Sequence, residues 1–348
     1  MSGKNVFIVG PGFIGWNIID LLVPEGYNVS GLVRRKEHAD GITKSGAKAV
    51  LGDINDKEII SESVQAADIV IHTASADHLP SVQGVIDGLR KRAAAGKQTI
   101  YLHTSGTSLL DDNSNGDFKS DKIYNDENQS EIDGLPDSAP HRDVDLEIIK
   151  AKKELGDKAK ISIVIPPLIY GYNAKHERVT IQIPTLTRFA RKHGYAGYVG
   201  KGLAVESNIH VLDLARAFVV LLHAVEKASP SDELIQNPYF YTENSGDNEP
   251  SWKEVAEAIG EGLHKAGVIK DATPKTIPEE LYGDLFAQYT GAVVGLNSRS
   301  RANRLRKLGW KPQEKSWRES YLEDELPVLL KEDVSNFAGY LGAVPNQS

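Results

Sequence analysis

Val6-Phe-Ile-Val-Gly10-Pro-Gly12-Phe-Ile-Gly15 lies close to the start of the 348-residue chain, and its reading decides the fold. Val6 to Val9 is a β-rich apolar run that ends at glycines. Helical spacing follows through Phe13, Ile18, Leu21 and Leu22, and Pro24-Glu-Gly26 stops it. A Gly-x-Gly-x-x-Gly that closes a strand and opens a helix has a physical logic. Gly10 permits a tight turn. Gly12 lets the backbone approach a pyrophosphate, and Gly15 lets helix and strand pack closely. Phe13 and Ile14 begin the helix, whose N-terminus offers unpaired N–H groups and a favourable dipole to an anion. The plainer alternative is a glycine-rich turn that binds nothing.

Outward from this stretch the first half keeps alternating. Tyr27 to Val33, Lys48 to Leu51, Asp68 to His72, Thr99 to His103 and Ile161 to Ile165 read as further strands. Asn55 is expected to cap a helix running to about Ala66, and Val82 to Ala95 reads as another. Nearly continuous apolar strands separated by helices imply a parallel sheet covered on both faces. Right-handed crossovers make it a doubly wound α/β sheet of Rossmann type. Residues 111–139, rich in Asp, Asn, Ser and Gly, break the pattern as a long loop. Beyond Tyr172 the alternation loosens. Residues 181–192 and Val211 to Val225 read as helices, and Tyr239 to Tyr241 as a strand. Ser251-Trp-Lys-Glu254 is a capping box. The expected division is residues 1–171 and 201–243 for the Rossmann domain, and 172–200 and 244–348 for a smaller substrate-binding domain.

Composition narrows the function. The formal net charge is −8, which disfavours a general nucleic-acid binder, since phosphate contacts need clustered Lys and Arg. There is no cysteine, so disulfides and thiolate chemistry do not arise. No apolar run approaches the roughly 20 residues needed to cross a bilayer. A cytoplasmic protein with no membrane partner and a small-molecule substrate is expected. Nothing in the sequence sets an oligomeric state. The histidines show no metal-ligand spacing, so no metal site is expected. Arg301, Arg304, Arg306 and Lys307 read as a solvated basic face.

Candidate ligand contacts gather at strand ends. Arg34 and Arg35 close the second strand, where NAD enzymes commonly place an acid on the ribose hydroxyls. Arginines there suit the 2′-phosphate of NADP(H) and make NAD(H) the lesser candidate; a solvated basic turn is the alternative. Asp53 and Ile54 follow the third strand, and Thr73 and Ala74 the fourth. Asp53 is a candidate acceptor for the adenine amino group, or a turn carboxylate.

In order, Val9 to Gly15, Gly52-Asp-Ile54, His72-Thr-Ala74, Thr104-Ser-Gly106, Pro166-Pro-Leu-Ile-Tyr-Gly171 and Asn208 to Ala215 resemble the short-chain dehydrogenase/reductase superfamily, in its extended or atypical branch. The resemblance covers most of the chain. It implies NAD(P)-dependent chemistry on a carbonyl or sugar-nucleotide substrate between two domains. It implies that Ser105, beside Thr104, is the hydroxyl that binds the carbonyl oxygen, and that Pro166, Pro167 and Leu168 face the nicotinamide carboxamide. The glycine motif is one residue shorter than the usual one, and no Tyr-x-x-x-Lys occurs anywhere. His141 and Asp145 stand where that tyrosine and lysine belong. His141 is then a candidate proton donor, with Tyr124 of the long loop as an alternative, and Asp145 a candidate acceptor for a ribose hydroxyl. The leading expectation is an NADP(H)-dependent oxidoreductase. A non-catalytic NADP(H) sensor is the alternative. A nucleotide-sugar epimerase or dehydratase is disfavoured by the missing tyrosine and the arginines.

Overall fold

In the computed structural model, which describes residues 3–246 and 248–340, seven parallel strands form one sheet. They are β1 (Asn5–Val9), β2 (Asn28–Val33), β3 (Lys48–Leu51), β4 (Ile69–His72), β5 (Thr99–Thr104), β6 (Ala159–Ile165) and β7 (Tyr239–Tyr241). Their order is β3-β2-β1-β4-β5-β6-β7, so the chain reverses direction between β1 and β4. Val6 pairs with Val29 on one side and Ile69 on the other. β1, β4, β5 and β6 are buried almost throughout, which is why they read as unbroken apolar runs.

Helices cover both faces. α1 (Gly15–Leu22) and α2 (Lys36–Lys44) follow β1 and β2, and α3 (Lys57–Gln65), α4 (Leu79–Ala94) and α5 (Arg142–Leu155) follow β3, β4 and β5. α3, α4 and α5 pack side by side. α1 packs instead with α7 (Val211–Lys227), which enters β7 after α6 (Gln182–His193) has passed through the smaller lobe. α2 has a single fully buried residue, Ile42, too little apolar spacing to stand out in the sequence. The N-cap of α3 is Asp56, not Asn55 as expected. Asn55 is drawn off instead, giving its N–H to Asp53 and its side-chain oxygen to His78.

Two cores result. The larger holds the sheet, its helices and, from far along the chain, Ala302, Leu305 and Trp310. The smaller surrounds Phe189, Trp252, Phe286 and Tyr321, with α6 and α8 (Trp252–Lys265) as its main helices. The capping box at Ser251 and Glu254 forms as the sequence indicates. Residues 111–139 are tied down at many points. Tyr124-Asn125 pairs in parallel with Ser300-Arg301, and the Asn297 amide donates to Asp112. Arg304 is not part of a solvated face. It is buried, donates to the carbonyls of Asn237 and Tyr239, and lies 4.0 Å from the Phe240 ring centroid. Among the described residues no helix is long and apolar enough to cross a membrane.

Candidate active site

A crevice of about 760 Å³ runs along the carboxyl ends of β2, β1, β4, β5 and β6, over the point where strand order reverses. Three strand spacings of about 4.8 Å separate β2 from β5, so the crevice floor spans roughly 15 Å between the two ends of a bound dinucleotide.

Its middle is the glycine loop. Gly10 has φ +86°, and a Cβ there would meet Ala74 Cα at 2.4 Å. A Cβ on Gly15 would meet the Thr73 hydroxyl at 2.5 Å, and that hydroxyl donates to Gly10 O. Thr73 therefore fastens the loop and Gly15 lets α1 sit close against it. At Gly12 the nearest atom to an added Cβ is 4.0 Å away, so this face of the loop is open towards the crevice. α1 begins at Gly15 with no side-chain cap and no acid in its first turn, so an anion at its N-terminus meets a favourable dipole and no competing carboxylate. These features fit a pyrophosphate.

The β2 end is strongly basic. Arg34 and Arg35 line the crevice, and so do two residues that sequence reading missed, His38 and Arg178. Arg178 comes from the smaller lobe, lies over the Trp16 ring at 5.4 Å from its centroid and donates to His38 Nε2. Burial, then the charges of Arg178 and Arg35, push the His38 imidazole down to about 4. The acid nearest this cluster is Asp53, 3.6 Å from Arg34. Asp53 spends its other oxygen on Asn55, the bond that most lowers its pKa, and does not line the crevice. Ile54 does.

The opposite end carries Ser105, Thr107, Pro166, Pro167 and Glu206. Ser105 Oγ donates to Asp145 Oδ2 at 2.8 Å. Asp145 is fully buried behind Ser105, away from the crevice lining, and burial pushes its carboxyl up to about 6. The arrangement does not bring Asp145 to a ribose. It occupies the single proton of Ser105, so at neutral pH that hydroxyl offers a carbonyl oxygen only lone pairs. His141 caps α5 in the left-handed region, with φ 68°. Its Nδ1 is 2.6 Å from Asp77 Oδ1, and its Nε2 would meet a Cβ on Gly106 at 3.0 Å. Burial alone would lower this imidazole, but the hydrogen bond and charge of Asp77, with Asp145 and Asp143, carry it above the usual value. His141 thus does not line the crevice itself but sits against Gly106, which does and whose missing side chain leaves room for the ring. Thr104 is the buried last residue of β5, and Leu168 belongs to the smaller core. Tyr124 is not brought to the crevice at all; it pairs with Ser300 beside the β7 edge.

Glu206 was also missed. It belongs to the short run between Gly202 and Asn208 and is 3% exposed. Ser298 Oγ donates to its Oε1 at 3.4 Å, and Thr107 Oγ is 2.7 Å from that same Ser298 hydroxyl. The sequence signal was one acid inside an apolar, strand-like stretch. Arg178 gave none, because its partners lie some 140 residues away.

Residues 10–130 match the NAD(P)H-binding family model, so the chain carries an NAD(P)H-binding domain. Oxidase ucsJ of an Acremonium species is 31% identical over 329 residues, which is 89% of this chain and 93% of that protein. An uncharacterised Saccharomyces cerevisiae protein is 29% identical over 322 residues, 89% and 95% of the two chains. The yeast methylglyoxal/isovaleraldehyde reductase, solved with NADPH, superposes with TM-score 0.63 at 17% identity, covering 94% of this chain and 98% of its own. A UDP-glucose 4-epimerase of Thermotoga maritima gives 0.63 at 17% identity, covering 94% and 99%. At such identities the two structures speak for the fold alone.

Proposed function

Since the chain belongs to the short-chain dehydrogenase/reductase superfamily, in its extended or atypical branch, we propose that it is an NADP(H)-dependent oxidoreductase acting on a small carbonyl or alcohol. The observation that carries the choice of cofactor is the convergence of Arg34, Arg35 and Arg178 on the β2 end of the crevice. Three guanidinium groups around one pocket repel one another unless an anion lies between them, and a 2′-phosphate is such an anion. NAD(H) would leave Arg35 and Arg178 without an anion, Arg34 alone having Asp53 beside it.

The residues divide the work along the crevice. The α1 N-terminus and the Gly10–Gly12 loop hold the pyrophosphate. Pro166 and Pro167 close the far end over the nicotinamide. When bound in reduced form, that ring supplies a hydride. Ser105 and Thr107 border the place where a carbonyl would lie.

Fluorescence titration of the purified protein with NADPH and NADH tests the cofactor. NADPH is expected to bind more tightly by at least the roughly ten-fold that one charge-assisted hydrogen bond contributes. Equal affinities would overturn the assignment. NADPH consumption with aliphatic aldehydes and ketones, isovaleraldehyde among them, tests the reaction. One observation favours a second reading, a cofactor-binding sensor without turnover: the Ser105 proton is held by Asp145. Tight NADPH binding without consumption on the whole panel would select it.

A further inference from the structure

A carbonyl reduction needs a proton on the oxygen as well as a hydride on the carbon. The tyrosine that would deliver it is missing, Ser105 gives its proton to Asp145, and His141 is bound to Asp77 and does not line the crevice. One acid that lines the crevice at this end has no such engagement. We propose that Glu206 is the proton source of the reaction, its acid proton reaching the carbonyl oxygen through the Ser298 and Thr107 hydroxyls. The proposal rests on the reductase reading above.

The geometry is specific. Glu206 precedes Ser207, whose carbonyl accepts the Leu168 N–H at 3.2 Å. That pairing fixes Glu206 beside the Pro166–Leu168 segment, next to the place of the nicotinamide. Oε1 receives the Ser298 hydroxyl, which leads on to Thr107 and so back to the crevice. Oε2 is buried and has no hydrogen-bond partner among the described residues. Burying a carboxylate with one oxygen unpartnered costs far more than burying the neutral acid.

The protonation state agrees. Burial pushes Glu206 up to about 8, and the charge of Asp111 adds to it. The Ser298 and Thr107 hydroxyls and the Leu168 N–H pull weakly the other way. The group is therefore mostly an acid at neutral pH, as a donor must be.

The step balances. The carbonyl carbon accepts the hydride with its two electrons, and the nicotinamide is oxidised as the carbonyl is reduced. The C=O π pair moves onto oxygen, which takes the Thr107 hydroxyl proton; Thr107 takes that of Ser298 and Ser298 that of Glu206, whose O–H bond breaks. The Glu206 carboxylate then regains a proton from water through the Thr107–Ser298 hydroxyls. In the oxidative direction the same carboxylate receives the alcohol proton.

The test compares the full-length wild type with Glu206→Gln, which keeps the shape but has no transferable acid proton. Loss of a general acid should lower kcat by about 10²–10⁴-fold, while NADPH affinity is unchanged. Wild-type kcat should fall as pH rises through about 8, and Glu206→Asp should keep that limb at a reduced rate. Infrared difference spectra give a readout independent of turnover. The wild-type spectrum minus that of Glu206→Gln should contain a carboxylic-acid C=O band at pH 7 that fades through the same range, the bands of Asp126 and Glu325 being common to both proteins. Near-normal turnover by Glu206→Gln, or no such band at pH 7, would overturn the proposal. A wild type that binds NADPH but reduces nothing on the panel would overturn the reductase reading, and the donor role with it.

Discussion

Among single side chains, three arginines carry the NADP(H) reading, and Asp145 sets the state of the Ser105 hydroxyl. Arg178 has the more telling position, because it reaches the β2 end of the crevice from the other lobe and has no carboxylate partner there among the described residues. Arg34→Ala and Arg178→Ala should each weaken NADPH binding by roughly ten-fold or more and leave NADH binding nearly unchanged; isothermal titration with both cofactors measures it. A loss shared equally between the cofactors would show that the arginines hold something other than the 2′-phosphate. Ser105→Ala probes the other end. It strands Asp145, whose Oδ1 already lacks a partner, as a buried carboxylate with none at all. The expected cost is about 1–3 kcal/mol in urea unfolding at pH 7. The cost should shrink at pH 5, below the value of about 6 to which burial lifts Asp145. A loss independent of pH would mean the pair acts only through packing.

Elements reveal where the sequence spoke and where it stayed silent. The seventh strand is an edge, and its protection comes from the long loop. Asp126 is fully buried and takes the N–H of Tyr241 on one oxygen and that of Arg304 on the other. Asp126→Ala should therefore cost about 2–4 kcal/mol, since two buried donors lose their acceptor, and it should expose β7 to pairing with other chains. Chemical denaturation and light scattering on warming would register both, and an unchanged midpoint would contradict this account. The strands β1, β4, β5 and β6 were legible because they are buried on both faces almost throughout, while the exposed edge strand β3 showed only as a short β-prone run. The glycine loop was legible because its chemistry is local. Residues 111–139 were not, because what orders them lies some 180 residues later, at Asn297 and Ser300. Arg304 was misread for the same reason. A helix-spaced basic run resembles a solvated face until the carbonyls it serves are known. Tyr124 stood as an alternative proton donor because it lies in the long loop, whereas pairing with Ser300 holds it away from the crevice. Arg178, His38 and Glu206 stayed hidden because their roles arise only where separate segments meet.

For the molecule as a whole, buried acids and buried histidines together fix the response to pH. Burial lifts Asp126 and Glu325 to about 7 and Glu206 to about 8, against about 4 in an unfolded chain. Between those values the folded state holds more protons, so stability falls as pH rises. His72 and His103 act oppositely. Burial lowers both, so the folded state excludes a proton that the unfolded chain takes up below about 6.5. Their benefit grows towards that pH and is complete above it. From about pH 6.5 to 8.5 the carboxyl slope therefore stands alone, and the melting temperature should drop by several degrees. Calorimetry across that range measures it, and a rising melting temperature would refute the assignment of these acids as neutral. The presence of Ala302, Leu305 and Trp310 in the large core has a consequence for the newborn chain. β1 leaves the ribosome early, but the last side chains that wall its core follow roughly 300 residues later, about 15–60 s at 5–20 residues per second. Through that interval the growing sheet ends first at β6 and then at β7, without the side chains that finally wall it, and in the cell a chaperone would have to shield what the chain has not yet supplied.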